Sequence, residues 1–103
     1  MNNSSYLLLD QEHAEYAIPT DIVQSDFMKA RDISWIAQVR PFIKHFCKKG
    51  DTIIDPFAGL GTTLIAAGLN EVNSIGLEIE PDRFDLLNKR LKGLSKLFDT
   101  NAL

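Results

Sequence analysis

Apolar residues recur along this chain in two registers. Ile33, Ile36, Val39, Ile43 and Phe46 follow one another at intervals of three and four, the period of an amphipathic helix. The spacing predicts a helix over Ile33 to Lys48, with Pro41 expected to kink it near Ala37 or to restart it with the proline in its first turn. Gly50-Asp51 ends that helix and leads into Thr52-Ile53-Ile54, an apolar run without polar alternation. Such a run fits a strand, Thr52 to Asp55, buried on both faces of a parallel sheet, so helices are expected on both sides. Leu64-Ile65-Ala66-Ala67 are good helix formers and predict a helix over Thr62 to Leu69. Asn73-Ser74-Ile75-Gly76-Leu77-Glu78-Ile79 reads as a second strand over Asn73 to Ile79. Glu80-Pro81-Asp82 then starts a last helix, Asp82 to Leu97, with Phe84, Leu87, Leu91, Leu94 and Phe98 as its inward stripe. Lys89, Arg90, Lys92 and Lys96 gather toward its end, where they complement the negative pole and are expected to stay solvated. The sum is an α/β fold, an incomplete parallel sheet flanked by helices.

The first thirty residues carry less pattern. Tyr6-Leu7-Leu8-Leu9 is too short to assign, and Asp10 to Tyr16 mixes Gln, Glu and His with alanine. Ile18-Pro19-Thr20-Asp21 is a turn signal, with Thr20 or Asp21 expected to cap a short helix reaching Phe27. The organisation is thus an N-terminal segment, 1–30, a folded region, 31–98, and a polar tail, 99–103. Composition narrows the classes further. With 103 residues and 45% apolar content, one small domain is the limit. A net charge of −3 argues against a phosphate-gripping surface, since such surfaces draw their affinity from lysine and arginine. Cys47 is the only cysteine, which excludes an internal disulfide framework, and its place after Phe46 predicts a buried thiol. The first residues carry no positive charge and no apolar run approaches a membrane span, so a cytoplasmic protein with no membrane partner is expected. His13 and His45 lack a second ligand at metal spacing, and no metal site is expected.

The chemistry concentrates in Asp55-Pro56-Phe57-Ala58-Gly59-Leu60-Gly61-Thr62-Thr63, a turn between strand and helix whose two glycines are expected to leave the first helical amides open to a ligand. A phosphate loop needs a lysine and then a hydroxyl residue after its second glycine, and here Thr62-Thr63 follow with no lysine. A dinucleotide fingerprint needs a third glycine where Leu64 stands. Asp55, at the carboxyl end of the strand, repels a pyrophosphate and attracts an ammonium or sulfonium group. Glu78 lies 19 positions after Gly59, a spacing that puts a carboxylate at the tip of the neighbouring strand, where it can accept hydrogen bonds from the hydroxyls of an adenosine ribose. The plainer alternatives are a solvated strand-end carboxylate for Glu78 and an Asx or helix-capping role for Asp55. For Trp35 they are plain helix packing against cover for a ligand.

The turn, the helix Leu64-Ile-Ala-Ala67, Ile75-Gly-Leu-Glu-Ile79, Arg83-Phe84 and Lys89-Arg90-Leu91 together resemble the cofactor-binding block of the DNA amino-methyltransferases, which methylate adenine N6 or cytosine N4. The likeness runs from about Gly50 to Leu91. It implies a partial Rossmann-like class I methyltransferase fold and S-adenosylmethionine as cofactor, bound by Asp55, Pro56, Phe57, Ala58, Gly59, Gly61, Thr62, Thr63 and Glu78. Asp55 would serve the methionine end and Glu78 the ribose. Where the family carries a Lys-Pro pair at the start of the preceding helix, this chain has Ser34-Trp35, and Pro41 is a second departure.

That family holds its target amine with an Asp, Asn or Ser followed by Pro-Pro and an aromatic residue that stacks on the flipped base. This sequence contains no Pro-Pro, and Asp55-Pro56-Phe57 is already part of the glycine turn. No catalytic residue is therefore assigned. One permuted motif order in the family places the catalytic motif and target-recognition region first, and this chain matches its last third. The expectation is the cofactor-binding part of a split or truncated DNA methyltransferase of a restriction-modification system. A complementary subunit or fragment would supply the catalytic motif, and DNA would be reached through it. The rival is a non-catalytic remnant or adenosyl-binding module, including a fragment of an RNA methyltransferase.

Overall fold

A computed structural model describes residues 18–98 of the chain, with side chains through residue 93. The expectations for Tyr6 to Tyr16, for the side chains of Leu94, Lys96 and Phe98, and for the tail from Asp99 lie outside the described residues. The elements follow in the order α1 (Thr20–Ser25), α2 (Ile36–Phe46), β1 (Thr52–Asp55), α3 (Thr62–Leu69), β2 (Asn73–Gly76) and α4 (Pro81–Phe98). β1 and β2 pair in parallel, Thr52 opposite Asn73 and Asp55 opposite Gly76. The fold class read from the sequence is the one found.

Side chains alternate across a strand, so the register puts Ile53, Asp55, Ser74 and Gly76 on one sheet face and Ile54 and Ile75 on the other. The first face is covered. Ile36 and Ile43 of α2, Leu64, Ile65, Ala66 and Ala67 of α3, and Leu87 and Leu91 of α4 form one core cluster with Ala58 and Val72, and Ile53 packs against it. The second face is open, with Ile54 65% exposed and Ile75 52% exposed. The expectation of helices on both sides is therefore corrected, and among the described residues the sheet has one helical layer. An unalternating run records the environment a strand suits, and here only half of that environment is present.

Element ends differ where local bonds decide them. α1 is preceded by Pro19, whose carbonyl accepts from Ile22 and Val23, so Thr20 is its first helical residue and not its cap. α2 starts after Trp35 and runs unbroken through Pro41. A mid-helix proline costs about 3 kcal/mol, which burial of Ile36 and Ile43 at roughly 1.5–3 kcal/mol each offsets. Phe46 ends α2 exposed, and Cys47 is half-buried, not enclosed. β2 stops at Gly76 because its partner turns away at Pro56. Leu77 nonetheless donates to Asp55 O at 2.9 Å and accepts from Ala58 N at 2.8 Å, tying the segment before Glu78 to the turn.

Candidate functional site

The turn after β1 is held largely by its own amides. The Asp55 carboxylate accepts from the Phe57 N–H at 2.9 Å, the Asx geometry weighed above, with Pro56 setting the backbone between them. Ala58 donates to Leu77 O and Gly61 donates to Ala58 O, both at 2.8 Å. The Gly59 N–H donates to Glu78 Oε1 at 2.8 Å. These four amides precede α3 and are spent on shaping the turn. α3 begins at Thr62, with Gly61 as its N-cap and no side-chain cap, leaving its amide end for solvent or a ligand.

Glu78 is brought to the turn as the spacing required, although it stands two residues beyond β2. Its second oxygen accepts from the Glu80 N–H at 2.9 Å. A carboxylate has about four acceptor positions, so roughly two remain after these bonds. Ala58 and Thr62 are buried, Thr63 is half-buried, Phe57 in the turn is 87% exposed, and Ile79, next in sequence to Glu78, is 92% exposed. Trp35 precedes α2, half-exposed, and belongs to no core cluster.

α4 supplies the platform beneath. Arg90 is buried, and its Nη1 donates to Leu60 O at 3.0 Å and to Thr62 Oγ1 at 3.2 Å. Burial pushes its guanidinium down to about 10. This corrects the expectation of a solvated Arg90, while Lys89 reaches Asp21 on α1 at 2.7 Å. Arg83 is also buried. It donates through Nε and Nη2 to Asp26 at 2.9 and 2.8 Å, and through Nη1 and Nη2 to Asp32 at 2.9 and 2.6 Å. The hydrogen bonds from Arg83 hold the Asp26 carboxyl at about 2 and draw Asp32 downward as well. The Arg83 ring partner is Phe27, 5.4 Å away.

Arg83, Arg90, Asp26 and Asp32 were missed as site supports. The signal for the arginines was in the sequence, because positions 83 and 90 share one helical face with Leu87 and Leu91. Nothing local marked Asp26 and Asp32, which meet Arg83 from more than fifty positions away. Among the described residues no group of His, Cys, Asp and Glu is arranged to hold a metal.

Comparison with known proteins places this geometry. The model of the DNA methylase family matches residues 36–89. The type II methyltransferase M.BglI of Bacillus subtilis is 43% identical over 67 residues, 57% of this chain and 19% of that protein. M.BsoBI of Geobacillus stearothermophilus, also a type II methyltransferase, is 50% identical over 44 residues, 42% of this chain and 9% of that protein. Among solved structures, the M1.HpyAVI–SAM complex superposes with a TM-score of 0.58 at 27% identity, over 81% of this chain and 43% of that one. A Thermus thermophilus protein complexed with S-adenosyl-L-methionine gives 0.55 at 25% identity, over 77% and 34%. The chain thus spans a fifth or less of these curated relatives and under half of either solved chain. With just over half of its length matched by the family model, from α2 through the first half of α4, and the glycine turn and Glu78 joined at its centre, the chain belongs to the DNA methylase family of amino-methyltransferases.

Proposed function

We propose that the chain is the S-adenosylmethionine-binding part of a split or truncated site-specific DNA methyltransferase that acts on adenine N6 or cytosine N4, in a restriction-modification setting. The observation that carries this reading is the 2.8 Å bond between the Gly59 N–H and Glu78, which joins the turn to an acidic residue that still has acceptor positions. When bound, the cofactor supplies a methyl group on a positively charged sulfur. Glu78 accepts from the ribose hydroxyls, Asp55 attracts the cationic methionine end, and Gly59 and Gly61 let the backbone approach. The residues present fit the group, since Asp55 and Glu78 make the turn acidic and Glu78 keeps acceptor positions after its bonds to Gly59 and Glu80. The amine-binding Pro-Pro-aromatic motif lies outside these 103 residues and comes from a complementary methyltransferase segment, which also brings the DNA.

Calorimetry with S-adenosylmethionine tests the site. Glu78→Ala should weaken binding by roughly 1.5–3 kcal/mol for each hydrogen bond lost to a charged acceptor. Glu80→Ala should change little, because Glu80 enters the site through its backbone N–H. Equal losses at both positions would refute the ribose role.

A further inference from the structure

Arg83 stands in the first turn of α4, and its guanidinium touches two parts of the molecule at once. It holds the segment that joins α1 to α2, through Nε and Nη2 on Asp26 and through Nη1 and Nη2 on Asp32. It also reaches the glycine turn. A Cβ built on Gly59 would stand 3.8 Å from Arg83 Nη1, and beyond its own chain neighbours no other atom of the described residues would lie within 4 Å of it. Gly59 takes φ +56 and has no side chain to fix that conformation, so the guanidinium is what backs the peptide whose N–H holds Glu78 at 2.8 Å. Resting on the function proposed above, we infer that Arg83 and Asp32 are positioning residues for the ribose end of the cofactor. Asp32 fixes Nη1, Nη1 supports Gly59, and Gly59 holds the Glu78 carboxylate that accepts from the ribose hydroxyls.

A plain staple between α1 and α4 needs less than this. The buried Asp26 already neutralises Arg83 through Nε and Nη2, and Lys89 with Asp21 ties the same two helices. Asp32 is half-exposed, where an ion pair contributes little to stability. It nevertheless takes two further bonds from the guanidinium, one of them from the Nη1 that faces Gly59. A planar fork gripped by two carboxylates is fixed in rotation as well as in place, and Phe27 lies over it with its ring centroid 5.4 Å away. The segment that presents both carboxylates is itself strained, since Lys29 and Ala30 have φ +52 and +58, a region unfavourable to residues with a Cβ. The Asp26 carboxylate accepts from the Ala30 N–H at 2.9 Å and holds that shape. Strain of this kind persists where the surroundings over-determine it and gathers at ligand sites.

Calorimetry with S-adenosylmethionine on the intact chain, run as a double-mutant cycle, is the test. Asp32→Ala should weaken binding about fivefold and leave the urea midpoint of unfolding near that of the parent, because Asp26 still pairs with Arg83. In a Glu78→Ala background the same substitution should cost nothing further. Hydrogen exchange at the Gly59 amide should be faster in Asp32→Ala than in the parent. Asp21→Ala, which breaks the exposed pair with Lys89, should alter neither the affinity nor that exchange. Losses that add in the Asp32→Ala, Glu78→Ala double variant would overturn the inference and assign the effect to the charge of Asp32 acting on a cationic ligand. A urea midpoint lowered in Asp32→Ala with Gly59 exchange unchanged would reduce the pair to a staple of the fold. Unchanged affinity in Asp32→Ala, with Glu78→Ala still weakening binding, would overturn the positioning role and leave the cofactor reading standing. Failure of the parent chain to bind S-adenosylmethionine would instead remove both.

Discussion

Arg83 carries two carboxylates at once, and the two are not equivalent. Asp26 is fully buried and Asp32 is half-exposed, so the inner pair is shielded from water and salt while the outer one is screened. The hydrogen bonds from Arg83 hold Asp26 at about 2 against an ordinary 3.8. A carboxyl lowered in the folded state contributes stability above its unfolded value and loses it as pH falls through the folded one. The acid limb of a urea-denaturation series should therefore lose roughly 2 kcal/mol between about pH 4 and pH 2. Asp26→Asn should destabilise by about 3 kcal/mol at neutral pH and flatten that limb. An acid limb unchanged in the variant would assign the pH dependence to other carboxylates.

Among the elements, the glycine turn and the strand beside it use their glycines for different physical reasons. Gly61 has φ +83, and a Cβ there would stand 3.2 Å from Leu87 Cγ, so both backbone strain and α4 oppose a side chain. Gly76 is constrained by space alone, because a Cβ would come 2.6 Å from Leu64 Cδ1 and 3.0 Å from Ala58 Cβ. The close approach of helix to strand, for which a dinucleotide fold uses a third glycine on the helix, is met here by a glycine on β2 facing Leu64. Gly61→Ala and Gly76→Ala should each destabilise by about 1–3 kcal/mol in chemical denaturation. Gly68→Ala, within α3 and with nothing near its Cβ, should instead stabilise by roughly 0.5–1 kcal/mol. If all three behave alike, helix propensity and not packing governs these positions.

At the scale of the whole molecule, the described residues place one helical layer on a two-stranded sheet, and under the function proposed above they hold the cofactor half of a methyltransferase site with no Pro-Pro motif beside it. The pure 103-residue chain should bind S-adenosylmethionine and fail to methylate DNA. Its charge of −3 adds to this, since affinity for the phosphate backbone rests on lysine and arginine contacts. Incubation with labelled cofactor and DNA, with and without the complementary segment, is the measurement. Robust transfer by the chain alone would require an amine-binding site unlike the Pro-Pro-aromatic one.

The sequence by itself determined the α/β class, the ends of β1 and α3, and the meeting of the nine-residue glycine turn with Glu78. Each of these depends on short-range physics, such as helical period, β-branched runs, glycine at a turn and the length of a strand, helix and strand unit. The tertiary structure alone decided which sheet face is covered, because a strand's pattern does not say how many layers a chain supplies. It also decided that α2 continues through Pro41, since burial against α3 outweighs the local penalty. Arg83 and Arg90 became supports of the turn only on folding, when Asp26, Asp32, Leu60 and Thr62 arrived from distant parts of the chain. Charged residues on an apolar helical stripe signal burial, but the partners that make the burial tolerable are chosen by three-dimensional packing.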